Sequence, residues 1–267
     1  MSETAPKRNI SWQFLFTLLM FAFMYVPILI LAIYSFNESR FSASWTGFSL
    51  KWYASLLQDT RLLSSLWDTL FVGFFAVSIS AVLGTMMAVG LFKYKFPGKS
   101  LYRGISYLPL IIPDIAIAVA TLVFLVSVGL SRSIWTIVAA HIVFCLAYIA
   151  VVISTRLSSL NPFLEEAALD LGATPTQAFI KVLLPELMPA ILSGCLLAFV
   201  LSMDDLLISS FTAGEGANTL PMEIFSRVRT GVKPDINALS VVLILFSGVL
   251  AFTAEHLRYQ SDRKKLS

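Results

Sequence analysis

Charge is scarce in this chain of 267 residues: 13% of positions are Asp, Glu, Lys or Arg, while 57% are hydrophobic and mean hydropathy is +0.82. So little polar surface cannot cover that much apolar side chain around one water-soluble core, and the composition points to the bilayer as solvent. A net charge of +3 gives no basic surface for nucleic acid. Low-complexity tracts and tandem repeats are missing. The two cysteines, Cys145 and Cys195, lie in apolar runs with neither metal spacing nor a disulfide pattern, which makes them small packing residues. No metal site, catalytic centre or bound cofactor is read in the chain. A phosphate-binding loop is also lacking. Phe96-Pro-Gly-Lys-Ser ends like one, but Lys93 stands where the loop needs glycine, and the segment joins two apolar runs. If ATP drives any step, another polypeptide must hydrolyse it.

Long apolar runs are what the chain has instead, at 11–36, 64–92, 104–130, 133–155, 188–212 and 236–255. A helix needs about 20 residues to cross a hydrocarbon core of roughly 30 Å. The expected architecture is therefore all-α, a polytopic membrane protein of six transmembrane helices in one domain, 1–267, surrounded by lipid. The first run follows Lys7 and Arg8, exceeds a signal-peptide core in length and has no small-residue cleavage site after it, so it is read as an uncleaved span. Six spans put both termini on one side. With them lie Lys7, Arg8, Lys93, Lys95, Lys99, Arg103, Arg156, Lys181, Arg258, Arg263, Lys264 and Lys265; opposite lie Arg40, Lys51, Arg61, Arg132, Arg227, Arg229 and Lys233, so the nineteen basic residues divide twelve to seven. The positive-inside rule makes the termini cytoplasmic.

Two external segments read as interfacial. Leu50, Trp52, Tyr53, Leu56 and Leu57 alternate with Lys51, Gln58, Asp59 and Arg61, as in a helix lying at headgroup level. From Thr219 to Pro234, a capping Thr219, an early Pro221 and a stop at Gly231 and Pro234 predict a short helix before the last span.

The cytoplasmic loop from Arg156 to Glu186 carries the densest local signals. Asn161 caps a helix opened by Pro162, with Glu165, Glu166 and Asp170 favoured in its N-terminal part by the helix dipole, and Gly172 ends it. Thr174-Pro175 starts a second helix expected to run to Pro185. Helix connections are commonly about 2–8 residues, so a connection of this length with paired caps is a knob for a partner, and Ala167 and Ala168 allow close approach.

Leaving aside Asp68 near an interface and Glu255 at the end of the last run, the spans contain Asp114 in the third and Asp204 and Asp205 in the fifth, with no Lys or Arg. A carboxylate at a helix centre costs at least about 2.5 kcal/mol in a bilayer, so such groups face a pathway, and a pathway lined only by acids suits a cation. The structural alternative is that all three pair helices. Counting roughly 1.5 Å per residue along a continuous helix puts Asp114 near the midplane. Adjacent helical residues diverge by about 100°, so of Asp204 and Asp205 one lines the path while the other bonds a neighbouring helix or a partner subunit. His141 is read as hydrogen-bonded within the bundle rather than as a proton relay. Pro109 and Pro113 are placed to kink the entry to the third span beside Asp114.

The spacing Glu166-Ala167-Ala168, Gly172, Val182, Leu184-Pro185 resembles the signature loop of ABC-importer permease subunits, with Val182 where that family usually has isoleucine. The resemblance implies type I permease architecture with cytoplasmic coupling helices. It makes Glu165, Glu166, Ala167, Ala168, Asp170, Gly172 and Pro185 the segment that engages the ATPase, with Glu166, Ala167 and Gly172 as core contacts. Leu201-Ser-Met-Asp-Asp-Leu-Leu-Ile-Ser-Ser-Phe, Thr219-Leu-Pro-Met, Pro113-Asp114 and Val228-Arg-Thr-Gly-Val-Lys-Pro-Asp-Ile-Asn-Ala-Leu are similar to the polyamine branch of that family. His141-Ile-Val-Phe-Cys-Leu-Ala-Tyr and Gly172-Ala-Thr-Pro are closer to its putrescine-type than its spermidine-type subunit.

That branch implies a permease in the bacterial inner membrane with a second homologous permease chain, a cytoplasmic ATPase homodimer that uses ATP with Mg, and an external polyamine-binding protein. The substrate-pathway positions it carries over are Trp45, Asp114, Ser202, Asp204 and Asp205; Trp45 also reads as an interfacial anchor. Protonated amines want carboxylates and aromatic faces. Two rival classes fit the sequence less well. An ion-coupled secondary transporter of an organic cation would show an internal repeat, and an intramembrane aspartyl protease would hold an acid in a Gly-x-Gly-Asp context, where this chain has Ile-Pro-Asp and Ser-Met-Asp-Asp.

Overall fold

The computed structural model describes residues 12–39, 44–230 and 234–263, with side chains at 230, 234, 250, 251 and 253–263 excepted. Lys7, Arg8, Arg40, Gly231, Lys233, Lys264 and Lys265 lie outside the described residues, as do the side chains of Arg258 and Arg263. The described chain is helical, with one isolated antiparallel bridge, Asn37 to Phe48, and no strand. It divides into two compact units, 1–59 with 227–245, and 60–226 with 246–267.

In the first unit, α1 (Trp12–Tyr34) has no buried residue, as befits a helix whose surroundings are lipid or another chain. Its 23 residues reach about 35 Å at roughly 1.5 Å each. Asn37 then folds the following loop: its Nδ2 donates to Ser44 O at 2.7 Å, its Oδ1 accepts from Thr46 N at 2.9 Å, and its carbonyl accepts from Trp52 Nε1 at 2.8 Å. Trp52 belongs to α2 (Lys51–Leu56), the first of the two expected short helices. Arg227, in the last turn of α11 (Leu220–Thr230), pairs with Asp59 at 2.8 Å and with Asp235 at 3.3 Å, in the first turn of α12 (Pro234–Arg263).

The second unit is a bundle centred on α6 (Ile134–Ser159), which packs against α3 (Thr60–Lys93) and α9 (Leu184–Asp204), themselves in contact with each other. Lipid tails are as apolar as leucine, so membrane helices associate through close packing rather than hydrophobic expulsion. Small residues make that possible here. A Cβ on Gly84 of α3 would lie 3.1 Å from Leu146 O, and one on Gly194 of α9 would lie 3.3 Å from Ile149 Cα. Facing them, Ala147, Ile149 and Ala150 of α6 are fully buried. Cys145 is buried in the same core and Cys195 lies at its margin, the packing role expected of both.

Four described helices are long and apolar enough to cross a membrane: α1, α3, α6 and the helix from Pro175 to Asp204. The expected third span, 104–130, is not one helix. It is α4 (Lys99–Tyr107) with a 3-10 turn, Leu108–Leu110, bent by 105° from α5 (Asp114–Ser127). Pro109 and Pro113 explain the break, since each lacks an amide hydrogen and Pro113 bars the residue before it from helical geometry. Asp114 is consequently the first residue of α5, and a depth counted along an unbroken helix does not apply to it. The expected fifth span, 188–212, is also interrupted: α9 ends at Asp204, Asp205 is extended, and α10 (Leu207–Thr212) follows. The run expected at 236–255 falls in α12, whose shorter apolar stretch is Asp235–Val249.

The loop 156–186 holds α7 (Leu164–Asp170) and α8 (Pro175–Ala178). Asn161 acts two residues early, its Oδ1 accepting from Phe163 N at 3.0 Å, so the helix proper starts at Leu164 and not Pro162. The second helix does not stop at Pro185. A π-helical turn, Phe179–Leu183, carries it into α9, and the wider turn accommodates the bond and the space that Pro185 denies to Lys181. Thr219 precedes α11 as expected, but its carbonyl accepts from Glu223 N at 3.0 Å while its buried hydroxyl has no partner among the described residues, so the side chain does not cap.

Candidate functional site

Both helix breaks open onto one cavity of about 360 Å³, lined by Pro109, Leu110, Ile112, Pro113 and Asp114 from the first, Leu201, Asp204, Asp205 and Ile208 from the second, and Phe144 and Tyr148 from α6. Irregular backbone at membrane depth persists only where it is covered by protein or lines a cavity, and α10 packing on α5 brings the two interruptions together.

The three acids have unlike surroundings. Asp114 opens α5 with its carboxylate exposed to the cavity, where the helix N-terminus favours negative charge. Asp204 is likewise exposed at the C-terminal end of α9, and neither carboxylate has a hydrogen-bond or ion-pair partner among the described residues. Asp205 is bound on all sides. Its Oδ2 accepts from Ser209 N at 2.7 Å and Ser209 Oγ at 2.8 Å, its Oδ1 accepts from Ile208 N at 3.2 Å, and His141 Nε2 stands 3.2 Å from Oδ2. His141, fully buried, also meets Ser202 Oγ through Nδ1 at 2.8 Å and Ser209 Oγ at 3.1 Å. The ring thus joins α6 to both sides of the second break, the hydrogen-bonded role read for it.

Of the pathway positions expected from sequence, Asp114, Asp204 and Asp205 line this cavity, and Ser202 is joined to Asp205 through His141. Trp45 is in the first unit, half exposed, edge-on to Tyr34 with ring centroids 6.3 Å apart. Phe144 and Tyr148 escaped the sequence reading. With His141 they occupy i, i+3 and i+7 on α6, a helical stripe of polar and aromatic groups that pattern reading could have found.

The capped loop presents a second surface. Gly172 has φ +85°, the left-handed conformation that releases its amide to Leu169 O at 2.9 Å, while Ala173 N donates to Ala168 O at 3.1 Å. Thr174 and Gln177 form a reciprocal capping box. Around these, Phe163, Leu169 and Leu171 are exposed, Leu171 to 90%. Glu166, Ala167, Asp170 and Pro185 are exposed too, and Ala168 is half-buried. Glu165 is instead paired with Lys93 at the end of α3, and the Lys93 ammonium stands 5.9 Å from the Phe179 ring. Arg156 holds Glu186 at 2.9 Å across the base of the loop.

A polytopic helical bundle with broken helices around a carboxylate-bearing cavity, and an apolar knob held by local caps, defines a membrane transport component. Residues 80–266 match the binding-protein-dependent transport system inner membrane component family, and the chain belongs to that family. It is 42% identical over 262 residues, 96% of this chain and 93% of the relative, to the putrescine transport system permease protein PotI of Escherichia coli (strain K12). With the spermidine/putrescine transport system permease protein PotC of Haemophilus influenzae it shares 38% over 240 residues, 90% of this chain and 93% of that one. The fold is similar to that of a bacterial alginate ABC transporter solved with an alginate pentasaccharide-bound periplasmic protein, with TM-score 0.69 and 17% identity over 92% of each chain. It is also similar to the inward-facing MetNI methionine ABC transporter, with TM-score 0.59 and 24% identity over 80% of this chain and 99% of that one.

Proposed function

We propose that this chain is the permease subunit of an ATP-driven importer that carries polyamines, putrescine before spermidine, by alternating access. The observation that supports this most is that Asp114 and Asp204, two carboxylates without partners among the described residues, line one cavity with Phe144 and Tyr148. Carboxylates and aromatic side chains together suit an alkyl diammonium, because charge-assisted hydrogen bonds and cation–π contacts can hold its ends. The identities of 42% to the putrescine permease and 38% to the spermidine/putrescine permease favour the shorter amine.

In this reading a second homologous permease chain completes the path, an external polyamine-binding protein delivers the amine, and an ATPase homodimer docks on the 161–186 loop. Both termini and that loop face the cytoplasm, a topology supported by the distribution of basic residues. Exposed Phe163, Leu169 and Leu171 beside Ala167 form an apolar knob of the kind that fills a cleft. ATP hydrolysis, with its Mg, belongs to the partner. Reconstitution of the complex in liposomes tests the reading: ATP should drive uptake of putrescine, and spermidine should compete. Uptake that persists without the ATPase would instead support an ion-coupled secondary transporter.

A further inference from the structure

We infer that the adjacent acids divide their work: Asp204, with Asp114, receives the ammonium of the cargo, whereas Asp205 and His141 are positioning residues that fix the break between α9 and α10 and so aim Asp204 into the cavity. The inference rests on the polyamine reading for the identity of the cargo, but the geometry that carries it is independent of any cargo.

Hydrogen-bond accounting separates the two acids. Asp205 receives two backbone amides, those of Ile208 and Ser209, and amides can only donate. The Ser209 hydroxyl donates to the same Oδ2. His141 Nε2 faces that oxygen at 3.2 Å and the Ser209 oxygen at 3.1 Å. If Nε2 were bare, its lone pair would oppose those of both oxygens, so the partners assign the hydrogen to Nε2. On a neutral ring Nδ1 then accepts from the Ser202 hydroxyl at 2.8 Å. Asp205 has four donors within the chain, one of them the Nε2 hydrogen that it shares with the Ser209 oxygen, and an incoming amine would have to displace one of them. Asp204 has none to displace.

The same accounting explains why the break holds. At the second interruption the amides of α10's first turn lack helical acceptors, and Asp205 supplies them. His141, rooted in the tightly packed α6, ties Asp205 to Ser202 on the preceding helix. Loss of that tie would let α9 and α10 re-register and swing Asp204 relative to Asp114.

Asparagine in place of each acid separates the roles, because it keeps shape and removes charge. At 205, the asparagine oxygen takes the place of Oδ2, where the Ser209 amide and His141 Nε2 both meet it, so the ring keeps its hydrogen on Nε2 and only the bond from the Ile208 amide is lost. The full chain, labelled with 15N-histidine and reconstituted in lipid, reports this directly; a His256→Gln background leaves His141 as its only histidine, since the sequence has two. The expected result is an Nε2–H ring with a bare Nδ1 in the parent and in Asp205→Asn alike. A hydrogen on Nδ1 in the parent would overturn the assignment. In the assembled importer, Asp204→Asn should raise the KM for putrescine about tenfold or more, the size of a lost charge-assisted bond, and Asp205→Asn should change it by less than about threefold. Equal KM increases in the two variants would overturn the division of roles. If the parent complex moves no polyamine, the cargo reading fails, and the tautomer measurement still decides the network.

Discussion

The capped loop and the cavity are two polar regions of a largely apolar chain, and they are built by opposite means. In the loop the caps are satisfied within a few residues: Asn161 by Phe163 N, Gly172 by Leu169 O, Thr174 by Gln177. What remains on its outside is apolar and exposed. In the cavity the partners come from far along the chain, His141 meeting Ser202 and Asp205 across more than sixty positions, and two carboxylates remain exposed without partners. A surface that docks rigidly needs local order; a path for a cation needs charge that is held in place without being neutralised.

Three substitutions sharpen or break this contrast. The largest effect is expected at Gly172→Arg. A side chain at φ +85° costs about 1–2 kcal/mol, and forcing it into a packed contact costs about 1–3 more, so binding-protein-stimulated ATP hydrolysis and uptake should both fall on the order of 100-fold with the chain still inserted. A variant hydrolysing ATP at the parental rate would remove the loop from coupling. Next comes Asp204→Asn, where loss of a charged hydrogen bond, about 1.5–3 kcal/mol, should weaken putrescine uptake by roughly 10- to 100-fold while stimulated hydrolysis continues. The smallest effect is expected at the base of the loop. Lys93→Ala should reduce coupled uptake by at most about fivefold, in line with a partly exposed ion pair, and the exchanged pair Lys93→Glu with Glu165→Lys should recover it. Absence of recovery would mean that Glu165 acts on the ATPase rather than through α3.

These differences also explain what the sequence discloses. Caps, the left-handed glycine and the apolar runs are local properties, so the all-helical membrane architecture and the loop with its turn at Gly172 could be read directly. The proline bend before Asp114 was legible as a kink, though not as a 105° change of direction, because residues after it assemble on α10 and not on α4. The break at Asp205 was not legible: Ser-Met-Asp-Asp-Leu carries no proline or glycine, and the interruption is stabilised by His141 on a different helix. Pro185 misled in the other direction, since the π-helical turn before it lets the helix continue. Lys93 reads from sequence only as a topology signal, whereas its pairing with Glu165 depends on α7 folding back to the end of α3.

The central claim is that the cavity moves the amine and the loop transmits the work. Parallel measurement of ATP hydrolysis and putrescine uptake in liposomes holding the complete importer tests it most directly. The account predicts that Asp204→Asn hydrolyses ATP in response to the loaded binding protein but takes up little putrescine, and that Gly172→Arg does neither. Parental uptake by Asp204→Asn, or equal loss of both activities in the two variants, would contradict it.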